Sequence, residues 1–231
     1  MKTKNIIKIC VDIAMTVALL FLMAYQLIGE EAHEWIGIGM FLLFITHHCL
    51  NQAWSRNLFR GKYPVRRIFQ TIVVVLILLC MFGSMVSGII LSRYVFSFAN
   101  ATIHSATVWA GKVHMLCAYW GFVFMGIHLG FHWNRIIVTA TKGCQRKASG
   151  KNVIFMRLIS ILIAIYGVIA FGQRDIWNYM TLKNHFAFFD MSEPIVFFLL
   201  DYLSIMGLFV AVGYCLSKSM SKSRSTLKNR G

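Results

Sequence analysis

The chain has 231 residues, 58% of them hydrophobic and only 13% charged, with a mean hydropathy of +0.67. A soluble domain of this length cannot solvate that composition, because globular chains run nearer half apolar and about a quarter charged. The net charge of +15 does not mark a nucleic-acid partner, since the basic residues fall between apolar runs, where they report topology.

Six apolar segments follow one another at residues 9–28, 34–53, 68–91, 109–133, 154–172 and 195–216. Each has the roughly 20 residues that a helix needs to cross a hydrocarbon core. The first follows Lys2, Lys4 and Lys8, as a signal peptide would. It runs on to Ile28 with no A-x-A pattern before Glu30 and Glu31, which predicts an uncleaved span. Between the second and third segments lie Arg56, Arg60, Lys62, Arg66 and Arg67, and between the fourth and fifth a basic loop that with its flanks holds Arg135, Lys142, Arg146, Lys147, Lys151 and Arg157. With both termini added, nineteen of the 23 Lys and Arg fall on one side, leaving Arg93, Lys112, Arg174 and Lys183 on the other. Six of the eight acids share that second side. The positive-inside rule therefore predicts cytoplasmic N- and C-termini. The expected fold class is all-α: a polytopic membrane helix bundle of six transmembrane helices.

Cys10, Cys49, Cys80, Cys117, Cys144 and Cys215 show no CxxC and no metal-type spacing, which argues against a disulfide framework and an iron–sulfur site. No P-loop and no glycine-rich dinucleotide fingerprint is present, so no FAD or NAD site is expected in this chain.

Ionisable residues inside membrane spans are rare and usually functional. His104 and His185 fall in outer loops, but His33, His47 and His48 belong to the second segment and His114, His128 and His132 to the fourth. His33 and His47 are 14 residues apart, and so are His114 and His128. Fourteen residues fall about 40° short of four helical turns, so each pair shares a face, with members about 21 Å apart along the axis. Both segments run from outside to inside. Two parallel helices with histidines at matched depths can hold two flat macrocycles, each iron taking one imidazole from each helix. The expected axial pairs are His33 with His114 and His47 with His128. His48 and His132 are the alternates; using them would offset the inner imidazoles by about 4.5 Å in depth.

Each feature has a plainer reading. A single histidine near a helix end more often bonds a neighbour or sits at the water interface, but four at matched spacing do not suit that account. His128 and His132 form an i, i+4 pair able to hold a metal, although no carboxylate is expected near it. Gly37, Gly39, Gly83, Gly88, Gly121 and Gly126 permit close approach to a porphyrin or, equally, to a neighbouring helix. Lys112 and Arg93 outside, and Arg56, Arg60 and Arg135 inside, are available to haem propionates, though the inner ones already satisfy topology. Asp201, about two turns inside the sixth segment, is placed to take a proton from a quinol or to hydrogen-bond a neighbouring helix; the second is favoured.

The stretches HEWIGIGMFLLFITHHCLN (33–51), GKYPVRRIFQ (61–70), GSMVSGIILSRYVF (83–96) and VHMLCAYWGFVFMGIHLGFHW (113–133) resemble the flavinylation-associated cytochrome family of bacterial membrane proteins. More distantly they are similar to the transmembrane domains of ferric reductases, NADPH oxidases and respiratory cytochrome b. The resemblance covers about residues 5–140 and implies a four-helix dihaem core at 1–140. The basic loop, two further spans and basic tail would make up 141–231. It further implies two non-covalent b haems on His33, His47, His114 and His128, and electron transfer to an extracytoplasmic protein with covalent FMN. The larger reductases carry a cytoplasmic FAD/NADPH domain that this chain lacks, which leaves a membrane quinol or a separate cytoplasmic reductase as donor. The implied setting is the bacterial cytoplasmic membrane, and the implied role an electron-transfer subunit rather than a complete enzyme. The rival readings are a histidine-dependent metal or ion transporter and a haem-free membrane anchor.

Overall fold

The computed structural model describes residues 3–98, 106–142, 150–184, 186 and 190–228. All regular structure among them is helical: α1 (Thr3–Met23), α2 (Tyr25–Ile28), α3 (Glu30–Leu50), α4 (Gln52–Arg56), α5 (Val65–Leu91), α6 (Thr107–Lys142), α7 (Gly150–Gln173), α8 (Ile176–Met180) and α9 (Ile195–Lys228). This is what a bilayer demands of an apolar chain, because a helix satisfies every backbone donor and acceptor within one segment.

Five helices are long and apolar enough to cross a membrane, over Thr3–Met23, Val65–Leu91, Thr107–Val138, Ile154–Gln173 and Ile195–Ser221. Such a set marks a multi-pass membrane protein. The second expected span is present as α3, equal to α1 at 21 residues. It does not join the five; its three acids and three histidines make it more polar than its neighbours. The first span also starts earlier than expected. It reaches Met23, and Ala24 breaks it before the single turn of α2.

The chain reverses at Gly29, whose φ of 88° is a conformation that only glycine adopts without strain. α3 then returns along α1, and Lys8 Nζ near the start of α1 donates to Asn51 Oδ1 just past the end of α3, at 2.8 Å. Their shared faces bury Val11 and Met15 against Met40 and Phe44. A second layer forms around α6, which packs along α5 on one side and α9 on the other, with α7 beyond α9. Its core gathers Phe122, Tyr202 and Ile205, with Ile176 and Tyr179 of α8 laid across it. The two C-terminal spans are thus fastened to the rest mainly through α6, with the end of α1 sharing the same core.

Helix contacts at α6–α9 are backbone to backbone. A Cβ on Gly130 would collide with the Val210 carbonyl oxygen, and one on Gly213 with that of Ile127. Gly213→Leu is expected to push α9 off α6 and destabilise the bundle by roughly 1–3 kcal/mol. Gly172→Ala, whose Cβ would meet nothing within 4 Å, is expected to change little. Detergent unfolding of both variants checks this.

α3 differs from its neighbours. It lies against α1, only grazes α5, and has no extended backbone approach to α6. What joins it to α6 is imidazole.

Candidate functional site

At the outer level the structure brings His33 and His114 together, with ring centroids 6.0 Å apart and planes at 67°. α3 supplies one ring and α6 the other, across the gap where those backbones stand off. His114 is fixed from behind: its Nδ1 donates to the Ser84 carbonyl oxygen at 3.0 Å, with Ser87 Oγ at 3.2 Å. That bond leaves Nε2 to carry the lone pair. Gly88 of α5 lies beside the ring, where a Cβ would come to 3.4 Å of His114 Cε1. Tyr25 sets its ring edge against His33 at 5.0 Å, and its hydroxyl donates to Glu30.

The α3 end is pinned to the α5 end by Glu34. Its carboxylate accepts from Ser92 Oγ at 2.6 Å and from the backbone N–H groups of Arg93 and Val95 at 2.7 and 2.9 Å. Of the outer cations, Arg93 pairs with Glu30 at 3.4 Å and Lys112 lies over the Trp109 ring.

The inner level gathers His47, His48 and His132 within electrostatic reach of His128. The geometry is less direct here than outside. The rings of His47 and His48 are 5.5 Å apart and those of His128 and His132 4.8 Å apart. The structure does not bring His47 and His128 ring to ring. Three of the four imidazoles have defined neighbours. His47 Nδ1 lies 2.8 Å from Asp12 Oδ1. His48 meets the Phe44 ring edge-on at 4.6 Å. His132 Nε2 receives the Gln70 amide at 2.9 Å. His128 has a buried Nδ1 with no hydrogen-bond partner, as does His33.

These contacts test whether the side chains suit an axially ligated metal macrocycle. Two imidazoles on opposite sides of one metal ion, at roughly 2 Å per metal–nitrogen bond, hold their centroids about 6 Å apart. His33 and His114 meet that spacing. Buried polar atoms are normally paired, so two orphaned imidazole nitrogens at the α3–α6 gap ask for a reason. Gly37, one turn inward of His33, also faces open space, since a Cβ there would meet nothing within 4 Å. His33 and His114 fit the group. Other glycines serve helix packing: Gly121 faces Cys80 at 3.3 Å, Gly83 faces Cys117 and Gly126 faces Phe209.

Asp12 corrects the sequence expectation that no carboxylate lies near the His128–His132 pair: it acts on both rings from α1. Its only sequence signal was an acid within the first apolar run. Even so, among the described residues no three His, Cys, Asp or Glu side chains converge as a metal-ion site. His104 and His185 lie outside the described residues, as does Cys144 in the basic loop.

Asp201 is bound by its neighbours. Tyr166 Oη donates to Oδ1 at 2.6 Å and Arg174 Nε to Oδ2 at 2.8 Å, while the guanidinium also grips Glu193. The bonds from Glu193, added to those from Asp201, push the Arg174 guanidinium above its ordinary range. This is a tie across α7, α9 and the loop between them, in accord with the neighbour-bonding role expected of Asp201.

Comparison with protein-family models, curated proteins and solved structures finds no match.

Proposed function

We propose that this protein is a six-span cytochrome of the bacterial cytoplasmic membrane, with both termini cytoplasmic, that carries electrons across the bilayer on two b-type haems. His33 and His114 would hold the outer haem and His47 and His128 the inner one. The observation that carries this reading is the meeting of His33 and His114 at 6.0 Å, from two helices that otherwise stand apart. The equal 14-residue spacings extend the argument to the inner level.

α3 serves as the sixth span in this reading. Its polar residues sit at its two ends, where Glu34 and the inner histidines have partners, and its middle is apolar. Each haem, when bound, supplies a one-electron Fe(III)/Fe(II) couple. Ser84 at His114 and Asp12 at His47 would orient the imidazoles. Met40 and Phe44, between His33 and His47 along α3, are buried against Val11 and Met15 of α1. Two levels about 21 Å apart span most of the hydrocarbon core. The donor would be a membrane quinol or a cytoplasmic reductase, and the acceptor an extracytoplasmic flavoprotein with covalent FMN.

The deciding measurement is a dithionite-reduced minus oxidised spectrum of the purified protein, with haem counted per chain. Two haems and a b-type α band are expected. A protein purified after haem-sufficient expression without that band would overturn the proposal.

A further inference from the structure

Asp12 is an acid in a membrane helix whose partner is an imidazole rather than a cation. Lys8, one turn earlier, is turned to Asn51 instead, and Asn51 Nδ2 donates to the His47 carbonyl oxygen at 2.9 Å. The foot of α1 is therefore laced to the foot of α3 by two separate bonds, and only one of them reaches a histidine ring. A carboxylate oxygen accepts, so the 2.8 Å contact to Oδ1 places the N–H on His47 Nδ1. In the neutral imidazole the lone pair is then on Nε2.

The two levels differ in what stands behind the ring. His114 gives its Nδ1–H to a neutral amide carbonyl at 3.0 Å, and His47 gives its own to a carboxylate. Such outer partners fix the tautomer and raise ligand basicity. A more basic axial imidazole stabilises ferric over ferrous iron, and hydrogen bonding around the ligands is one lever by which a protein sets a haem's potential.

We propose that Asp12 is a positioning residue that presents His47 Nε2 at the inner level and makes that level the lower in potential of the two. This rests on the dihaem reading above. With the carboxylate-backed ring inside and the carbonyl-backed ring outside, outward transfer is the downhill direction. The arrangement also selects His47 over His48, which has Phe44 rather than an acceptor against it.

The test is a spectroelectrochemical titration of the full-length protein in detergent, with haem counted per chain, for wild type, Asp12→Asn, Asp12→Ala and Asp12→Glu. In Asp12→Asn two haems are expected to remain, with the lower-potential step shifted upward and the higher one unmoved. In Asp12→Ala haem affinity at that one level is expected to fall about 10- to 100-fold. Asp12→Glu, which keeps a carboxylate, is expected to restore the wild-type titration. Two unshifted steps in Asp12→Asn would overturn the proposal. So would parallel loss of both haems in Asp12→Asn and Asp12→Ala with wild-type behaviour in Asp12→Glu, which would mark Asp12 as a tie between helices only. A wild-type protein without haem overturns the dihaem reading itself, and this inference with it.

Discussion

His114→Ala is expected to leave a protein that retains one haem of two. The imidazole it removes is the ring that meets His33, and it is held from behind by Ser84 and flanked by Gly88. Among the described residues no second ligand is at hand: Cys117, one turn further along α6, faces Gly83 of α5. His33 alone cannot supply both axial positions. The inner histidines lie about 21 Å deeper and keep their own contacts, so the second haem should remain. The readouts are the haem-to-protein ratio and the number of steps in a redox titration, one instead of two. His104→Ala and His185→Ala, which the sequence places outside the apolar segments, are expected to keep both. Equal loss from all three variants would count against specific ligation.

Arg174→Ala is expected to be the most damaging substitution away from the histidines. It leaves Asp201, which is 8% exposed, with only the Tyr166 hydroxyl, and it frees Glu193. Breaking a buried ion pair by removing one partner costs about 3–5 kcal/mol, because the remaining charge stays buried. Arg174→Lys is expected to recover only part of this, since an ammonium cannot reproduce the two-sided grip of the guanidinium. Replacing the pair together, Arg174→Met with Asp201→Leu, is expected to recover more than either single change. Thermal unfolding in a single detergent, monitored by near-ultraviolet circular dichroism, distinguishes these cases. A variant Arg174→Ala as stable as the parent would show that the tie contributes nothing.

The helices were legible because a bilayer allows few alternatives: a run of about 20 apolar residues has one way to satisfy its backbone. The meeting of His33 and His114 was legible for a related reason. Helical rise turns sequence spacing into depth, and two segments running the same way place equal spacings at equal heights. Sideways neighbours have no such rule. Nothing in the first segment shows that Asp12 faces His47 rather than lipid, because that depends on how α1 is rotated against α3. The Arg174 tie was hidden in the same way. Arg174, Glu193 and Asp201 are separated along the chain, and read singly they were a topological charge, a loop acid and an isolated acid. Gln70 and Ser84 were invisible for a further reason: amides and hydroxyls are common in helices, and only the facing ring gives them meaning.

The weak seam between α3 and α6 bears on how such a protein is made. A chain inserted from its N-terminus threads the α1–α3 hairpin into the bilayer before α6 has left the ribosome. The hairpin has its own buried contacts, Val11 and Met15 on Met40 and Phe44, so it can stand as a finished piece. α6 finds its own partners in α5 and α9. The two pieces also touch, since Met23 and Ala24 at the end of α1 enter the core around α6 and α9, but α3 itself has no extended packing against α6, and in the dihaem reading that seam would admit a large planar guest. In the dihaem reading the cofactor is then the mortar between two prefabricated walls, and maturation is completed by capture rather than by threading through a closed bundle.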